Sequence, residues 1–137
     1  MQDQLAWLYT VLQDAPEGKM FILSMHIPPG IMLKEPFWNR SLEPIFLYTL
    51  SQFQSKIVLV LGAHIHSGEI KAPLSSNFPD LALPIMLSPS TSPIFFNNPG
   101  YTILDIEDGV SKLVHWRHLQ LYQYSIGRMP SFSTIKP

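Results

Sequence analysis

Near the start of the chain Leu5, Leu8 and Leu12 recur at helical spacing with Tyr9 beside them, which predicts a short amphipathic helix over 4–12 with Asp3 as its cap. Asp14-Ala15-Pro16-Glu17-Gly18 stops that helix, and Met20 to Met25 then form a mostly apolar run of strand length. His26 stands at the carboxyl end of this strand. Ile27-Pro28-Pro29-Gly30 follows as a rigid loop, because each proline fixes its own φ and biases the residue before it away from the helical region. A second stripe, Leu42, Ile45, Phe46, Leu50 and Phe53, predicts a helix ending near Ser55, interrupted by Thr49, with Ser41 as cap and Pro44 in the first turn.

Ile57 to Leu61 reads as a strand covered on both faces, and Gly62-Ala63-His64-Ile65-His66-Ser67-Gly68 leaves it as a loop. After Pro73 the pattern changes to strands at Leu81 to Leu87, Tyr101 to Ile106 and Val110 to Leu121, with turns at Asn97-Asn98-Pro99-Gly100 and Glu107-Asp108-Gly109. Pro84 confines the first of these to a sheet edge. Helix, strand, helix, strand and then a run of strands implies an α/β start continuing into antiparallel structure. The organisation is one unit over 1–126 and an irregular tail over 127–137, where periodicity is lost.

Composition narrows the function classes. The 137 residues are 46% hydrophobic and 14% charged, enough to bury one core. A net charge of -1 with no basic stripe argues against nucleic acid as a partner. The longest apolar run is far short of the roughly 20 residues that cross a bilayer, so no transmembrane segment is expected. Without cysteine there are no disulfides to indicate a redox compartment. Residues 1–12 lack the basic and continuously apolar regions of a signal peptide, so either the chain is cytosolic or its true beginning lies upstream.

The chemistry concentrates at the two strand ends. Ligands in α/β sheets gather at carboxyl ends of strands, where His26, His64 and His66 fall. His64 and His66 are two residues apart, so in extended geometry both imidazoles address one side, as ligands to one metal or to two neighbouring ones. Each also has a plain structural reading as a surface or hydrogen-bonded turn residue.

Read with their neighbours, these residues form a larger pattern. Ser24-Met25-His26-Ile27-Pro28-Pro29-Gly30 resembles the GHIPPG motif of the acid-sphingomyelinase-like phosphodiesterases, and Ala63-His64-Ile65-His66 is similar to the GHxH motif of the wider calcineurin-like metallophosphoesterases. Gln4-Leu5-Ala6-Trp7-Leu8, Phe37-Trp38-Asn39, Ser88-Pro89-Ser90 and Asn98-Pro99-Gly100-Tyr101 resemble further segments of that family, in family order across Gln4 to about Ile106. The resemblance implies the carboxyl-terminal half of a four-layer α/β/β/α sandwich whose two metals, usually zinc, activate the water that attacks phosphorus. It makes His26 and His64 ligands of one ion and His66 a ligand of the other. It also implies a phosphoester substrate and a secreted or lysosomal setting, in which the Asn39-Arg40-Ser41 sequon could be glycosylated.

The departures are equally specific. The family's DxH pair, bridging GD aspartate and GNH motif have no counterpart here, since Asp3, Asp14 and Asp80 stand in other contexts and no Asn-His dipeptide occurs. Two dications would repel without a carboxylate between them, so the dinuclear site is incomplete in this chain and the chain alone is expected to be inactive. Its expected partners are the missing amino-terminal half or a second copy, with oligomerisation or poor solubility in isolation. The alternatives are a noncatalytic truncated paralogue acting as an interaction module, and a small protein holding one zinc with all three histidines. Met25 and Ala63 replace glycines that usually precede the motif histidines, which would strain the site if those positions need positive φ.

Other residues take structural expectations. His115 and His118 lie on opposite sides of a strand, Asp105, Glu107 and Asp108 flank a solvated turn, and Phe95, Phe96 and Tyr101 form an aromatic patch or a pocket rim.

Overall fold

The computed structural model describes residues 2–32, 35–72, 77–92, 98–107, 112–121 and 132–135. The first helix, α1 (Gln2–Gln13), buries Leu5 and Leu12. Asp3 lies inside its first turn rather than before it, where a carboxylate still complements the helix dipole. The carboxyl end of α1 lacks a basic residue of its own. Lys56 supplies one from a distance, its Nζ donating to the carbonyls of Leu12 at 2.7 Å and Ala15 at 3.3 Å.

Strand β1 (Phe21–Ser24) is followed by a two-residue ladder between β2 (Ile31–Met32) and β3 (Glu35–Pro36) and by helix α2 (Glu43–Phe53). The residue flanking α2 is Leu42, not Ser41, and no side chain caps it. Ser41 instead donates its N–H at 3.0 Å and its hydroxyl at 2.8 Å to Asn39 Oδ1, an Asx-type turn that competes with capping. The buried stripe of α2 also differs from the expected one. Thr49 is 1% exposed and Ile45 is 45% exposed. The Thr49 hydroxyl donates to the Ile45 carbonyl at 2.9 Å, which satisfies it inside the core.

A 3-10 turn (Gln54–Lys56) leads into β4 (Ile57–Gly62), followed by β5 (Glu69–Lys71) and β6 (Ile85–Leu87). The sheet order is β1-β4-β6-β5, with β1, β4 and β6 parallel and β5 antiparallel to β6. The structure is therefore mixed α/β, with a mostly parallel sheet and two helices. Strand β6 is interior, contrary to the edge placement expected from Pro84. Pro84 stands just before the strand, so its missing N–H interrupts no ladder bond.

Both helices cover one face of this sheet. Phe46, Leu47 and Leu50 of α2 join Leu5 and Leu12 of α1 over Val60, Ile85 and Leu87. Each such side chain contributes about 1.5–3 kcal/mol when fully buried. The other face carries Leu59 and Met86, both buried, toward a second sheet. That sheet consists of β7 (Gly100–Glu107), β8 (Lys112–Leu121) and β9 (Phe132–Ile135), all antiparallel. Leu61 and Met86 line a cavity with Thr102 and Leu104 of β7, between the sheets. Among the described residues the layers are helices, sheet and sheet; the outer helical layer of the expected sandwich is not among them.

Strand β9 falls in the stretch read as irregular, where backbone pairing with β8 supplies order that local periodicity does not reveal. His115 and His118 occupy β8 opposite Asp105 and Thr102 in register. Asp105 is exposed, as expected of a solvated turn flank; Asp108, Phe95 and Phe96 lie outside the described residues. No helix among the described residues is long and apolar enough to cross a membrane.

Candidate metal centre

The parallel pairing of β1 with β4 brings two histidine loops side by side. Ser24 is in register with Leu61, and the ladder continues past both strand ends: Met25 N donates to Leu61 O and Ala63 N to His26 O, each at 3.0 Å. His26 Nε2 and His64 Nδ1 consequently lie 3.3 Å apart, with the rings edge to face at 5.2 Å and 79°. His26 is exposed and His64 half-buried, so the pair opens to solvent on one side.

The backbone beneath His64 is strained. Ile65 N donates to Ala63 O at 2.9 Å, closing a three-residue turn whose central residue, His64, has φ 72°. A γ-turn of this hand is rare, and non-glycine residues held at left-handed φ cost about 1–3 kcal/mol. His66 is held the same way, with φ 64°. The strain expected at Met25 and Ala63 is thus displaced onto the histidines, because among the described non-glycine residues only His64 and His66 have positive φ. Met25 packs against the core, and Ala63 continues the ladder in place of a glycine.

The glycine that close packing demands is one position earlier. A Cβ on Gly62 would lie 2.6 Å from Leu87 Cδ2 and 3.2 Å from Pro28 Cβ, so the His26 loop rests directly on the end of β4. Trp38 anchors the same loop from above, donating Nε1–H to Ile27 O at 3.0 Å while its ring leans on Phe46 at 5.1 Å. Phe37 meets the His64 ring edge to face at 5.4 Å. Gly100 N donates to Ser90 O at 2.8 Å and Ser90 N to His66 O at 3.4 Å, linking the Asn98-Pro99-Gly100 segment to the second histidine loop.

The structure brings His26 and His64 into direct contact. His66 sits two residues further along the same loop, with its Nδ1 buried. Among the described residues, no three His, Cys, Asp or Glu side chains form a group that could hold one ion. Two nitrogens each about 2.05 Å from a tetrahedral zinc are separated by about 3.3 Å, so the spacing of the His26–His64 pair fits two positions of a zinc ligand set. The roles of Phe37, Trp38 and Gly62 were missed as site-building functions in the sequence, although Phe37 and Trp38 belong to the segment whose motif resemblance marked it.

No protein-family model matches this chain. A sphingomyelinase phosphodiesterase D of Dictyostelium discoideum is 31% identical over 108 residues, covering 72% of this chain and 24% of that protein. The chain is thus similar to a sphingomyelinase phosphodiesterase and spans about a quarter of the length of this curated relative.

Proposed function

We propose that this chain supplies the histidine part of a zinc-dependent phosphoric ester hydrolase site of the sphingomyelin phosphodiesterase type. The observation that carries this reading is the 3.3 Å approach of His26 Nε2 to His64 Nδ1 across adjacent parallel strand ends. The similarity to a sphingomyelinase phosphodiesterase supports the same chemistry. Zinc bound here supplies Lewis acidity toward a phosphoryl oxygen and lowers the pKa of water. His26 and His64 hold their ring nitrogens at a ligand spacing, and the turn beneath His64 fixes that ring's approach. His66 is assigned to a second ion by its place in the histidine motif.

The remaining ligands come from polypeptide that this chain does not hold, and an amino-terminal half-domain is the proposed partner. Among the described residues β1 is an edge of the sheet, and Ile22 on it and Trp7 on α1 are 48% and 65% exposed. An added strand there would extend a sheet of the parallel kind, which is normally covered on both faces. A secreted or lysosomal setting and occupancy of the exposed Asn39 sequon belong to this same reading.

The test is hydrolysis of bis(p-nitrophenyl) phosphate and of sphingomyelin with zinc, by the chain alone and after mixing with an amino-terminal half that carries DxH and GNH motifs. Zinc binding by the chain, with turnover appearing on mixing, is the expected result. Turnover that never appears, together with a chain that binds no zinc, would overturn the proposal. The second reading, a noncatalytic interaction module, draws support from the pairing of only two imidazoles among the described residues. It predicts a zinc-free chain that melts cooperatively.

A further inference from the structure

A cation stands near His64, carried by a strand outside both histidine loops. Lys71 is the last residue of β5, the antiparallel edge strand, and is in register with Ile85. Its Nζ lies over the Phe37 ring, 5.6 Å from the centroid, and the same ring meets His64 at 5.4 Å. The ammonium and the imidazole therefore share one aromatic ring as a neighbour.

The position is built from three segments. Phe37 N donates to Gly30 O at 2.9 Å, which fixes the Phe37 backbone beside the turn that ends the His26 loop. Gly30 has φ 134°, and a Cβ there would sit 3.3 Å from Lys71 Nζ, so the absence of a side chain leaves room for the ammonium. Lys71 is half-buried, and no ion pair joins it to a carboxylate among the described residues. The nearest acid along its strand, Glu69, accepts a hydrogen bond from Ser67 Oγ at 2.5 Å. An ammonium offers three donors on a flexible four-carbon stem, so it can leave the ring face to meet an anionic oxygen.

We infer that Lys71 is a substrate-binding residue of this site, anchoring an anionic oxygen of the phosphoric ester placed at His26 and His64. The inference rests on the phosphoric ester reading above. It adds the group that selects for negative charge and holds it beside the metal-binding pair.

The probe is inorganic phosphate, titrated at constant ionic strength into the full chain with and without one equivalent of zinc, and followed by amide chemical shifts. Lys71→Gln should weaken phosphate binding about tenfold, the loss of one charge-assisted hydrogen bond, while Lys71→Arg stays within about threefold. Zinc affinity should be the same in all three proteins, which separates anion anchoring from a folding defect. Equal phosphate affinity for the wild type and Lys71→Gln, equal losses for Lys71→Gln and Lys71→Arg, or no phosphate binding at all would overturn it. If zinc fails to bind, the metal reading falls separately. The zinc-free comparison then decides: a tenfold deficit in Lys71→Gln keeps the anion site and no deficit removes it.

Discussion

Gly62→Ala tests how tightly the two histidine loops are packed against each other. The new Cβ would lie 2.6 Å from Leu87 Cδ2 and 3.2 Å from Pro28 Cβ, against ordinary carbon contacts of about 3.5–4.0 Å. Leu87 is 1% exposed, so its methyl group cannot swing into solvent, and Pro28 is buried and has a rigid ring. Overpacking of this kind costs about 1–3 kcal/mol, offset by the roughly 0.5–1 kcal/mol by which alanine is favoured over glycine in a strand. The net loss should be about 1–2 kcal/mol. With a urea dependence of about 1–3 kcal/mol/M, the unfolding midpoint should fall by about 0.3–2 M. Leu87→Val removes the clashing Cδ2, so its cost should shrink by about 1 kcal/mol when combined with Gly62→Ala, a favourable coupling measurable in a double-mutant cycle. An unchanged midpoint for Gly62→Ala would refute the reasoning that β6 and the His26 loop close over the end of β4, and strictly additive losses in the cycle would refute the contact between Gly62 and Leu87.

Two further substitutions probe the supports of the site. Trp38→Phe keeps an aromatic ring against Phe46 but deprives the Ile27 carbonyl of its donor, and should cost about 0.5–1.5 kcal/mol in urea unfolding. Lys56→Met removes the charged donor to Leu12 O and Ala15 O and should cost about 1–2 kcal/mol, read as a lowered denaturation midpoint with the His26–His64 spacing preserved.

Much of the helix-strand core was legible because burial imposes a period. The stripes through Leu5, Leu8 and Leu12 and through Phe46 and Leu50 mark the helices that form, and the apolar run at Ile57 marks the central strand. Deviations arise where local chemistry competes with pattern. Thr49 reads as a gap in a stripe, yet its hydroxyl is satisfied by the preceding turn and the residue is buried. Ser41 reads as a cap, yet Asn39 captures it first. Strand β5 is three residues long and gains its identity from pairing with β6, which no short-range pattern announces. At the candidate site, the alignment of His26 with His64 follows from two parallel strands ending together. The left-handed turn at His64 does not, because a γ-turn leaves no residue signature when its centre is histidine rather than glycine.

The central claim is that His26 and His64 act together as ligands. Calorimetric titration of zinc into the wild-type chain and into His26→Ala, His64→Ala and the double variant measures this directly. The account predicts binding by the wild type, a loss of at least about tenfold in each single variant, and little additional loss in the double, because either substitution dismantles the same pair. Unchanged zinc affinity in His26→Ala, or two single losses that simply add, would contradict it.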